Sequence, residues 1–241
     1  MGLYYIAVGF GAYVVVSLTF FCFPNIIFKR RKYKSEVLEE ALHSANHKVL
    51  MVAHRGGARE RLENTMEAFE YAVEQGCHML ELDVHLTKDK VVVVAHDENL
   101  GRLCGVNAKI SDFLYEDLPP LLDEIELHFS DGEKFRSETT NHRIPKLSEL
   151  FERLPNTLMH IDLKDDHPDL PLEASKIVNQ FDREHITILG GMKQIKQNKY
   201  KKLNPKALTF CSIGGYFGVF MLYIFGLLPF WPIYFDSFSA G

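Results

Sequence analysis

The chain has 241 residues, with 27 basic and 32 acidic side chains, a formal net charge of −5 and an apolar fraction of 46%. This composition is typical of a globular protein and excludes disordered, collagen-like and disulfide-scaffold classes. Residues 35–206 carry a local net charge of −9, which argues against a nucleic-acid-binding surface. The four cysteines form no Cys-x-x-Cys pair, which argues against a zinc site.

The N-terminal segment is uncharged. Residues 1–28 contain no charged side chain, and the apolar run at 3–23 would reach about 30 Å as a helix, one hydrocarbon thickness. Basic residues follow it at 29–34, whereas a cleaved signal peptide carries its charge ahead of a shorter apolar core. The pattern predicts an uncleaved transmembrane anchor at 1–28 and a basic linker at 29–47. A buried core helix is the alternative.

Residues 48–206 alternate β-rich runs with helical patterns, which is the order of an α/β domain. Strands are predicted at 48–54, 79–86, 91–95, 158–163 and 186–189, with a sixth candidate at 207–211, and helices at 63–75, 147–153 and 172–181. Asn64 or Thr65 is expected to cap the first of these helices. Residues 101–141, with Pro119-Pro120 and a polar stretch, are predicted to form an irregular surface loop.

A second uncharged run covers residues 207–235 and is broken by six glycines and prolines, the last of them Pro232. Two interpretations stay open, a transmembrane span and an interfacial hairpin that dips into one leaflet. We favour the hairpin, because a span would carry the rest of a cytosolic domain to the opposite side of the membrane. Residues 236–241 form a short tail.

Ionisable side chains recur where the predicted strands end. They are His54-Arg55, Glu81 with Asp83, His96-Asp97, and Asp162 with Lys164. In a parallel barrel this end of the strands is the catalytic face. Glu81 and Asp83, two residues apart, share one face of their strand, and two neighbouring carboxylates require a hard divalent cation such as Mg²⁺ or Ca²⁺.

Each of these features also has a purely structural interpretation. A Glu-x-Asp pair commonly lies on the solvated face of an edge strand, His54 could be a capped strand-end histidine, and residues 96–99 could form a polar turn. Histidines such as His128 and His160 show no pattern and are expected to be structural. The repetition at four successive strand ends favours a functional site.

Four ordered blocks resemble the signature of the glycerophosphodiester phosphodiesterase family. They are His54-Arg55-Gly56-Gly57, Glu63-Asn64-Thr65, Glu81-Leu82-Asp83 with His85, and Val94-Ala95-His96-Asp97. The apolar N-terminus and the Gly-Leu-Leu-Pro-Phe run at 226–230 are similar to the membrane-anchored mammalian branch with lysophospholipase D activity. The resemblance implies a TIM barrel over residues 48–206, attached to an endoplasmic reticulum or perinuclear membrane with its catalytic domain facing the cytosol.

The resemblance also implies a role for each site residue. His54 and His96 act as general acid and base, Arg55 and Lys164 bind the phosphate, and the carboxylates hold one Mg²⁺ or Ca²⁺ ion. These metal ligands are Glu81, Asp83 and Asp162. The implied substrate is a lysoglycerophospholipid, including N-acyl lysophosphatidylethanolamine, which is hydrolysed to lysophosphatidic acid and a free headgroup after attack by the glycerol 2-hydroxyl group. The implied partners are this lipid and the bilayer, with no nucleic acid.

Two features depart from the family pattern. Asp162 stands where the family usually has Glu, and the family's closing blocks, a Trp-Thr-x-Asn-like strand and a Thr-Asp-x-Pro-like strand end, are absent. With six strand candidates, the sequence predicts an incomplete, C-terminally truncated barrel. Two alternatives therefore stay open: an inactive isoform that acts as a membrane-bound interaction protein, and a glycerophosphodiesterase for water-soluble substrates.

The position of the basic residues at 29–34 generates a prediction about orientation, because basic flanks favour the cytosolic side. A glycosylation acceptor in an extension ahead of Leu3 should be modified in microsomes, and an acceptor at residues 130–140 should not. Modification of the second acceptor alone would reverse the orientation.

Overall fold

An apolar helix, an α/β domain and an apolar hairpin follow one another along the chain. The computed structural model describes residues 1–23, 36, 40, 49–128, 132–137, 140, 142–205, 207–231, 233 and 235–238. The basic run predicted at 29–34 lies outside the described residues, as does most of the linker predicted at 29–47.

The N-terminal helix, α1, covers Gly2–Cys22. Its Gly2–Phe20 stretch is long and apolar enough to cross a membrane, and none of it is buried against the rest of the described chain. This exposure contradicts the alternative of a core helix, which would be covered on most of its sides.

The domain is built on one sheet with helices packed against it. Its strands are β1 (Val52–Ala53), β2 (Met79–Leu86), β3 (Val92–Val94), β6 (Leu158–Leu163) and β7 (Thr187–Gly190), and a separate pair is formed by β4 (Glu124–Glu126) and β5 (Lys134–Arg136). The helices are α2 (Met66–Glu74), α3 (Gly101–Cys104), α4 (Leu147–Arg153), α5 (Leu170–Gln180), α6 (Gln194–Leu203) and α7 (Ile213–Ile224). Strands β1, β2, β6 and β7 are parallel and adjacent in that order, which confirms the predicted α/β class.

The two central strands separate the core from the polar face. Apolar residues of β2 and β6, such as Leu82 and Ile161, pack with Phe69 of α2, Phe151 of α4 and Val178 of α5 in one buried cluster. The alternate residues of both strands point to the opposite face, and the register pairs Asp83 with Asp162. Because β2 lies between β1 and β6, the alternative of a solvated edge strand is wrong.

Strand β3 differs from its predicted role as one more parallel strand. It pairs antiparallel with the end of β2, with Val94 opposite Val84 and Val92 opposite Leu86. The chain turns back after β2, so the end of β3 returns to the level of Asp83, whose carbonyl oxygen accepts from the Ala95 N–H group (3.0 Å). His96 therefore reaches the polar face of the sheet from a strand that runs opposite to β2.

The segment at 101–141 is not the irregular surface loop that its composition predicts. Its described residues include α3, two 3₁₀ turns, and the β4–β5 pair. Leu103, Ile110, Tyr115 and Ile125 form a second buried cluster with Val93 of β3. Apolar residues spaced among prolines and polar residues hid this small core from the sequence patterns.

The sixth predicted strand, at 207–211, is reduced to isolated bridges. Leu208 pairs in parallel with Ile188 of β7, and Phe210 pairs in parallel with Ser237. The described residues between Phe210 and Ser237 include α7 and a 3₁₀ turn, Leu228–Phe230. At about 1.5 Å per residue, the 12 residues of α7 reach about 18 Å, which is too short to span a bilayer.

The start of α2 generates a prediction about stability. The Thr65 hydroxyl donates to the Leu62 carbonyl oxygen (2.7 Å) and accepts from the Ala68 N–H group (3.2 Å), so Thr65 is the N-cap. Loss of such a cap costs about 1 kcal/mol. A Thr65→Ala substitution should lower the unfolding midpoint of the full chain in detergent, and Thr65→Ser should restore most of it. Equal midpoints for the Ala and Ser variants would contradict this role.

Candidate active site

A cavity of about 360 Å³ lies at the C-terminal ends of β1, β2 and β6. It is lined by all seven residues to which the sequence assigned catalytic, phosphate or metal roles, His54, Arg55, Glu81, Asp83, His96, Asp162 and Lys164, and also by His128, His160, Met192 and Phe210. A larger cavity, of about 620 Å³, is lined by residues of α2 and α4 and contains none of the seven. The smaller cavity is therefore the candidate active site.

A tight turn after β1 brings the first two residues into the cavity. The predicted strand at 48–54 is shorter than expected, since β1 ends at Ala53 and a 3₁₀ turn follows over His54–Gly56. Arg55 lies in the left-handed backbone region (φ 50°), and its N–H group donates to Glu81 Oε2 (3.0 Å). Gly56 has φ 78°, and a Cβ atom there would lie 2.9 Å from the Ala68 Cβ atom, so the turn requires glycine.

The Arg55 guanidinium is buried between carboxylates. Its Nη1 lies 3.3 Å from Glu63 Oε1, and its Nε lies 3.7 Å from Asp83 Oδ2. Glu63 is itself buried and accepts from Nη2 of Arg102 (2.7 Å). The sequence pattern suggested only a helix start for Glu63, whereas the structure makes it the residue that orients Arg55.

The imidazole of His96 is oriented by a hydrogen-bonded chain. Its Nδ1 lies 2.6 Å from Asp97 Oδ1, and Asp97 Oδ2 accepts from Nε of Arg102 (2.6 Å). Burial alone would raise the pKa of Asp97, but the bonds from His96 and Arg102 outweigh it and lower that pKa. An anionic Asp97 favours the neutral tautomer that carries its proton on Nδ1. Nε2 is then the His96 nitrogen that is available for proton transfer.

His54 is half-exposed at the rim of the cavity, and its Nε2 lies 3.9 Å from Glu81 Oε2. Burial and the neighbouring Arg55 charge lower the pKa of His54, so its neutral form dominates at pH 7. A neutral imidazole can accept a proton.

Three carboxylates converge where β2 and β6 lie side by side. Burial and the adjacent Asp83 raise the pKa of Glu81 to about 8. Burial also raises the pKa of Asp162, although Lys164 opposes this effect. The Lys164 ammonium lies 3.2 Å from Asp83 Oδ1 and 3.0 Å from Asp162 Oδ2, and these two carboxylates raise its pKa despite burial.

The donor set fits a hard divalent cation. As the side chains stand, no three His, Cys, Asp or Glu residues in the described part of the chain are close enough together to hold a metal ion. However, Asp162 Oδ1 is buried without a hydrogen-bond partner among the described residues, and burial together with the neighbouring Asp83 disfavours the charged form of Glu81. Carboxylate oxygens are the preferred ligands of Mg²⁺ and Ca²⁺. Glu81, Asp83 and Asp162 are thus the residues that would hold such an ion.

His160 and His128 were expected to be structural, but both line the cavity. His160 lies on β6 opposite Glu81, and neither of its ring nitrogens has a hydrogen-bond partner within the described residues. Its ring packs on Phe210, with centroids 4.5 Å apart. The sequence feature that could have predicted this placement of His160 is its position two residues before Asp162, which puts both side chains on the same face of the strand. The His128 ring lies 5.2 Å from that of His96.

Comparison with known families gives one match that covers most of the domain. The model of the "Glycerophosphoryl diester phosphodiesterase family" matches residues 54–214. This range contains all seven predicted site residues and ends within the first turn of α7.

Similar curated proteins carry related names. The human protein "Lysophospholipase D GDPD1" is 39% identical over 231 residues, which are 95% of this chain and 69% of that protein. The human protein "Lysophospholipase D GDPD3" is 36% identical over 96% of this chain and 68% of its own length. A "Glycerophosphodiester phosphodiesterase" from Caldanaerobacter subterraneus is 34% identical over 66% of this chain and 64% of its own.

Solved structures share the fold. A glycerophosphodiester phosphodiesterase from Agrobacterium tumefaciens superposes with a TM-score of 0.55 at 24% identity, covering 67% of this chain and 66% of that one. A domain from Mycobacterium tuberculosis superposes with a TM-score of 0.59 at 16% identity, covering 74% and 65%. The fold is therefore the TIM-barrel-like α/β fold of these enzymes, and the chain spans about two thirds of the length of the relatives it matches.

The burial of His160 generates a prediction about pH. Burial lowers the pKa of His160 to about 4, below the value of 6.5 for a free histidine. Between these values the unfolded chain binds the proton and the folded chain does not, so His160 lowers stability as pH falls from about 6.5 to 4, by up to about 3 kcal/mol. In detergent, a His160→Gln variant should lose this part of the acid sensitivity. The exposed His185→Gln should keep it. An unchanged slope in the His160 variant would contradict the prediction.

Proposed function

The chain belongs to the glycerophosphoryl diester phosphodiesterase family, and we propose that it is a membrane-anchored, metal-dependent phosphodiesterase that hydrolyses lysoglycerophospholipids. The observation that carries the proposal is the convergence of two histidines, two cations and three carboxylates in one cavity at the ends of parallel strands. The products are lysophosphatidic acid and a free headgroup, with N-acyl lysophosphatidylethanolamine among the substrates. The domain lies on the cytosolic side.

Charge in the cavity supports the need for a metal ion. Arg55 and Lys164 provide two positive charges, while Glu81, Asp83 and Asp162 provide three negative ones when ionised. Because the pKa of Glu81 is raised, the set is close to neutral at pH 7, and a divalent cation would add the positive charge that attracts an anionic phosphodiester. Members of this family generally use a divalent metal. Held by the three carboxylates, the ion would supply electrophilic stabilisation of the phosphate.

The cationic side chains of the cavity orient the phosphate. The Arg55 guanidinium is fixed by Glu63 and Asp83, so it offers its donors at little further entropic cost. Lys164 is held between Asp83 and Asp162 and keeps its proton, because both carboxylates raise its pKa. Donors fixed in this way stabilise charge that develops on the non-bridging oxygens.

The two histidines divide the proton transfers between them. His54, neutral at pH 7, takes the proton of the glycerol 2-hydroxyl group as its oxygen attacks the phosphorus atom. His96, as an imidazolium paired with Asp97, gives its Nε2 proton to the headgroup oxygen as the bond to phosphorus breaks, and its other proton stays on Nδ1. Water, whose proton is taken by the now neutral His96, then opens the cyclic phosphodiester, and protonated His54 returns its proton to the glycerol 2-oxygen to give lysophosphatidic acid. The 2-hydroxyl group is already part of the substrate, which gives the advantage of an intramolecular nucleophile.

Two features favour a lipid over a water-soluble diester. The exposed α1 is apolar enough to cross a bilayer, and two human relatives, 39% and 36% identical to this chain, bear the name lysophospholipase D. A lyso lipid keeps the 2-hydroxyl group free, whereas a diacyl lipid has it esterified.

The test is hydrolysis of a lysophosphatidylcholine by the full chain in vesicles, followed as lysophosphatidic acid release. Activity should disappear with a chelator and return with Mg²⁺ or Ca²⁺. His54→Ala and His96→Ala should each lower turnover about 10²- to 10⁴-fold. An analogue that lacks the 2-hydroxyl group should bind without being cleaved.

His185→Ala, a change on the exposed surface, provides the matched control and should leave turnover unchanged. Near-normal turnover in the His54 or His96 variant would remove that residue from the mechanism. Equal cleavage of the deoxy analogue would replace the intramolecular nucleophile by water. Preference for glycerophosphocholine over the lyso lipid would favour the water-soluble substrate class.

A further inference from the structure

The uncharged segment after the domain begins and ends at the same place on the sheet. Phe210 bridges Ser237, and the Cys211 N–H group donates to the Ser237 carbonyl oxygen (2.8 Å). The Thr209 N–H group donates to Asp236 Oδ2 (3.0 Å), and the Asp236 N–H group donates back to the Thr209 carbonyl oxygen (2.8 Å). Both ends of residues 212–235, which we call the apolar hairpin, are therefore fixed at one sheet edge.

The apolar hairpin exposes large side chains and contains no charged residue. None of the twelve residues of α7, all of which are described, is buried. The exposed side chains include Phe217, Phe220, Tyr223, Phe225 and Trp231, and Phe217 is 65% exposed. A contiguous apolar patch of this kind marks an interaction surface. Aromatic residues without charges are typical of a segment that enters the membrane interface.

The tip of the apolar hairpin packs against the middle of α1. The Tyr13 hydroxyl donates to the Gly226 carbonyl oxygen (2.6 Å), and the Phe230 ring contacts the rings of Tyr13 and Phe20, with centroids 6.0 and 5.4 Å away. Gly226 has φ 66°, and a Cβ atom there would lie 2.3 Å from the Tyr13 hydroxyl oxygen. The contact is thus close enough to require glycine at the tip.

The position of this contact along α1 indicates how deep the tip of the apolar hairpin would lie in a bilayer. Tyr13 lies at the centre of α1, and Phe20 lies towards the end from which the chain continues to the domain. If α1 crosses the bilayer, Tyr13 is near the midplane. The roughly 18 Å length of α7 matches the distance from the interface to the midplane, about 15 Å. The position of Tyr13 in α1 and the length of α7 therefore both indicate a hairpin that reaches about halfway across the bilayer.

The base of the apolar hairpin adjoins the candidate active site. Phe210 and Met192 line the cavity, and the Ile213 N–H group donates to the Met192 carbonyl oxygen (3.1 Å). The Ser212 side chain caps α7 by accepting from the Gly215 N–H group (3.2 Å), and it donates to Gln194 Oε1. Membrane entry of the hairpin would therefore position the cavity rim at the lipid surface.

We propose that residues 212–235 form a re-entrant hairpin that enters the leaflet on the side of the domain, packs on α1 near the bilayer midplane and holds the cavity at the membrane surface. The occupant of its apolar surface is the acyl region of that leaflet. Entry of a lyso lipid from this leaflet into the cavity is a consequence that rests on the proposed function. The membrane embedding itself does not.

Trp231 is the only tryptophan of the chain, so its fluorescence reports directly on the hairpin. The full chain is reconstituted into phosphatidylcholine vesicles that carry bromine near the headgroup or near the end of the acyl chain. We expect loss of Trp231 emission in brominated vesicles and little quenching by aqueous iodide. Emission that iodide quenches, without any effect of brominated lipid, would overturn the proposal.

Moving the tryptophan tests the depth. In a Trp231→Phe background, Phe225→Trp should be quenched most by deep bromines, and Phe217→Trp most by shallow ones. Leu114→Trp, on an exposed position of the domain, is the matched control and should respond to iodide alone. Equal responses of the Phe225 and Leu114 variants would overturn the proposal. None of these measurements depends on catalysis, so they test the membrane position of the hairpin even if the chain does not hydrolyse lyso lipids.

A separate experiment tests whether the two ends of the apolar hairpin lie on the same side of the membrane. Glycosylation acceptors placed at residues 137–139 and appended after Gly241 should share one state, whatever the orientation of the domain. An acceptor in an extension ahead of Leu3 should show the opposite state and controls for detection. Different states at the first two sites would mean that the segment spans the bilayer, and the re-entrant hairpin would be refuted.

Discussion

The parallel register of β2 and β6 places Asp83 beside Asp162, and this adjacency of two buried acids constrains the rest of the site. Two negative charges on neighbouring buried strand positions repel each other strongly unless cations lie beside them. Lys164 contacts both carboxylates, and the Arg55 guanidinium approaches Asp83 from the other side. Even so, burial and the neighbouring Asp83 raise the pKa of Glu81 to about 8. A bound cation would offset the repulsion among these buried carboxylates, so cation binding and folding would support one another.

The same constraint explains why polar residues remote from the cavity are buried. Arg55 can neutralise Asp83 only if its guanidinium is held in place, and Glu63 holds it. Glu63 in turn needs Arg102, which also fixes Asp97 and thereby the His96 ring. One continuous chain of ion pairs and hydrogen bonds thus links the carboxylates of the cavity to His96, two residues after β3. Removing one member would leave its neighbour as an uncompensated buried charge, which costs more than the pair contributes. Because losing one partner costs more than the pair contributes, these linked side chains are held in one arrangement.

The sequence predicted the parts of the fold that follow a regular period. Strands β2 and β6 appear with the predicted bounds, and their alternation correctly placed Glu81, Asp83 and Asp162 on one face. Other features depend on contacts distant in sequence. The antiparallel direction of β3 depends on a turn-back that no local pattern encodes, and the small core at 101–141 forms from scattered residues. His160 was overlooked because a lone histidine carries no periodic signal, although its position beside Asp162 made its direction predictable. The metal, the roles of the side chains and the substrate stay predictions that need the experiments above.

The charge of the domain bears on how it would meet a lipid. Residues 35–206 carry a net charge of −9, so an anionic leaflet repels the domain, and apolar contacts must hold it at the surface. A domain that worked free in water would have to extract its lyso lipid, at about 0.8 kcal/mol per methylene exposed, on the order of 10 kcal/mol for a long chain. A cavity whose rim is continuous with an apolar hairpin in the leaflet avoids most of this cost. The acyl chain would remain in hydrocarbon while only the headgroup moves into the cavity. If the hairpin enters the leaflet as proposed, it would contribute to substrate selection as well as to anchoring, because a lipid in that leaflet could present its phosphodiester directly at the rim.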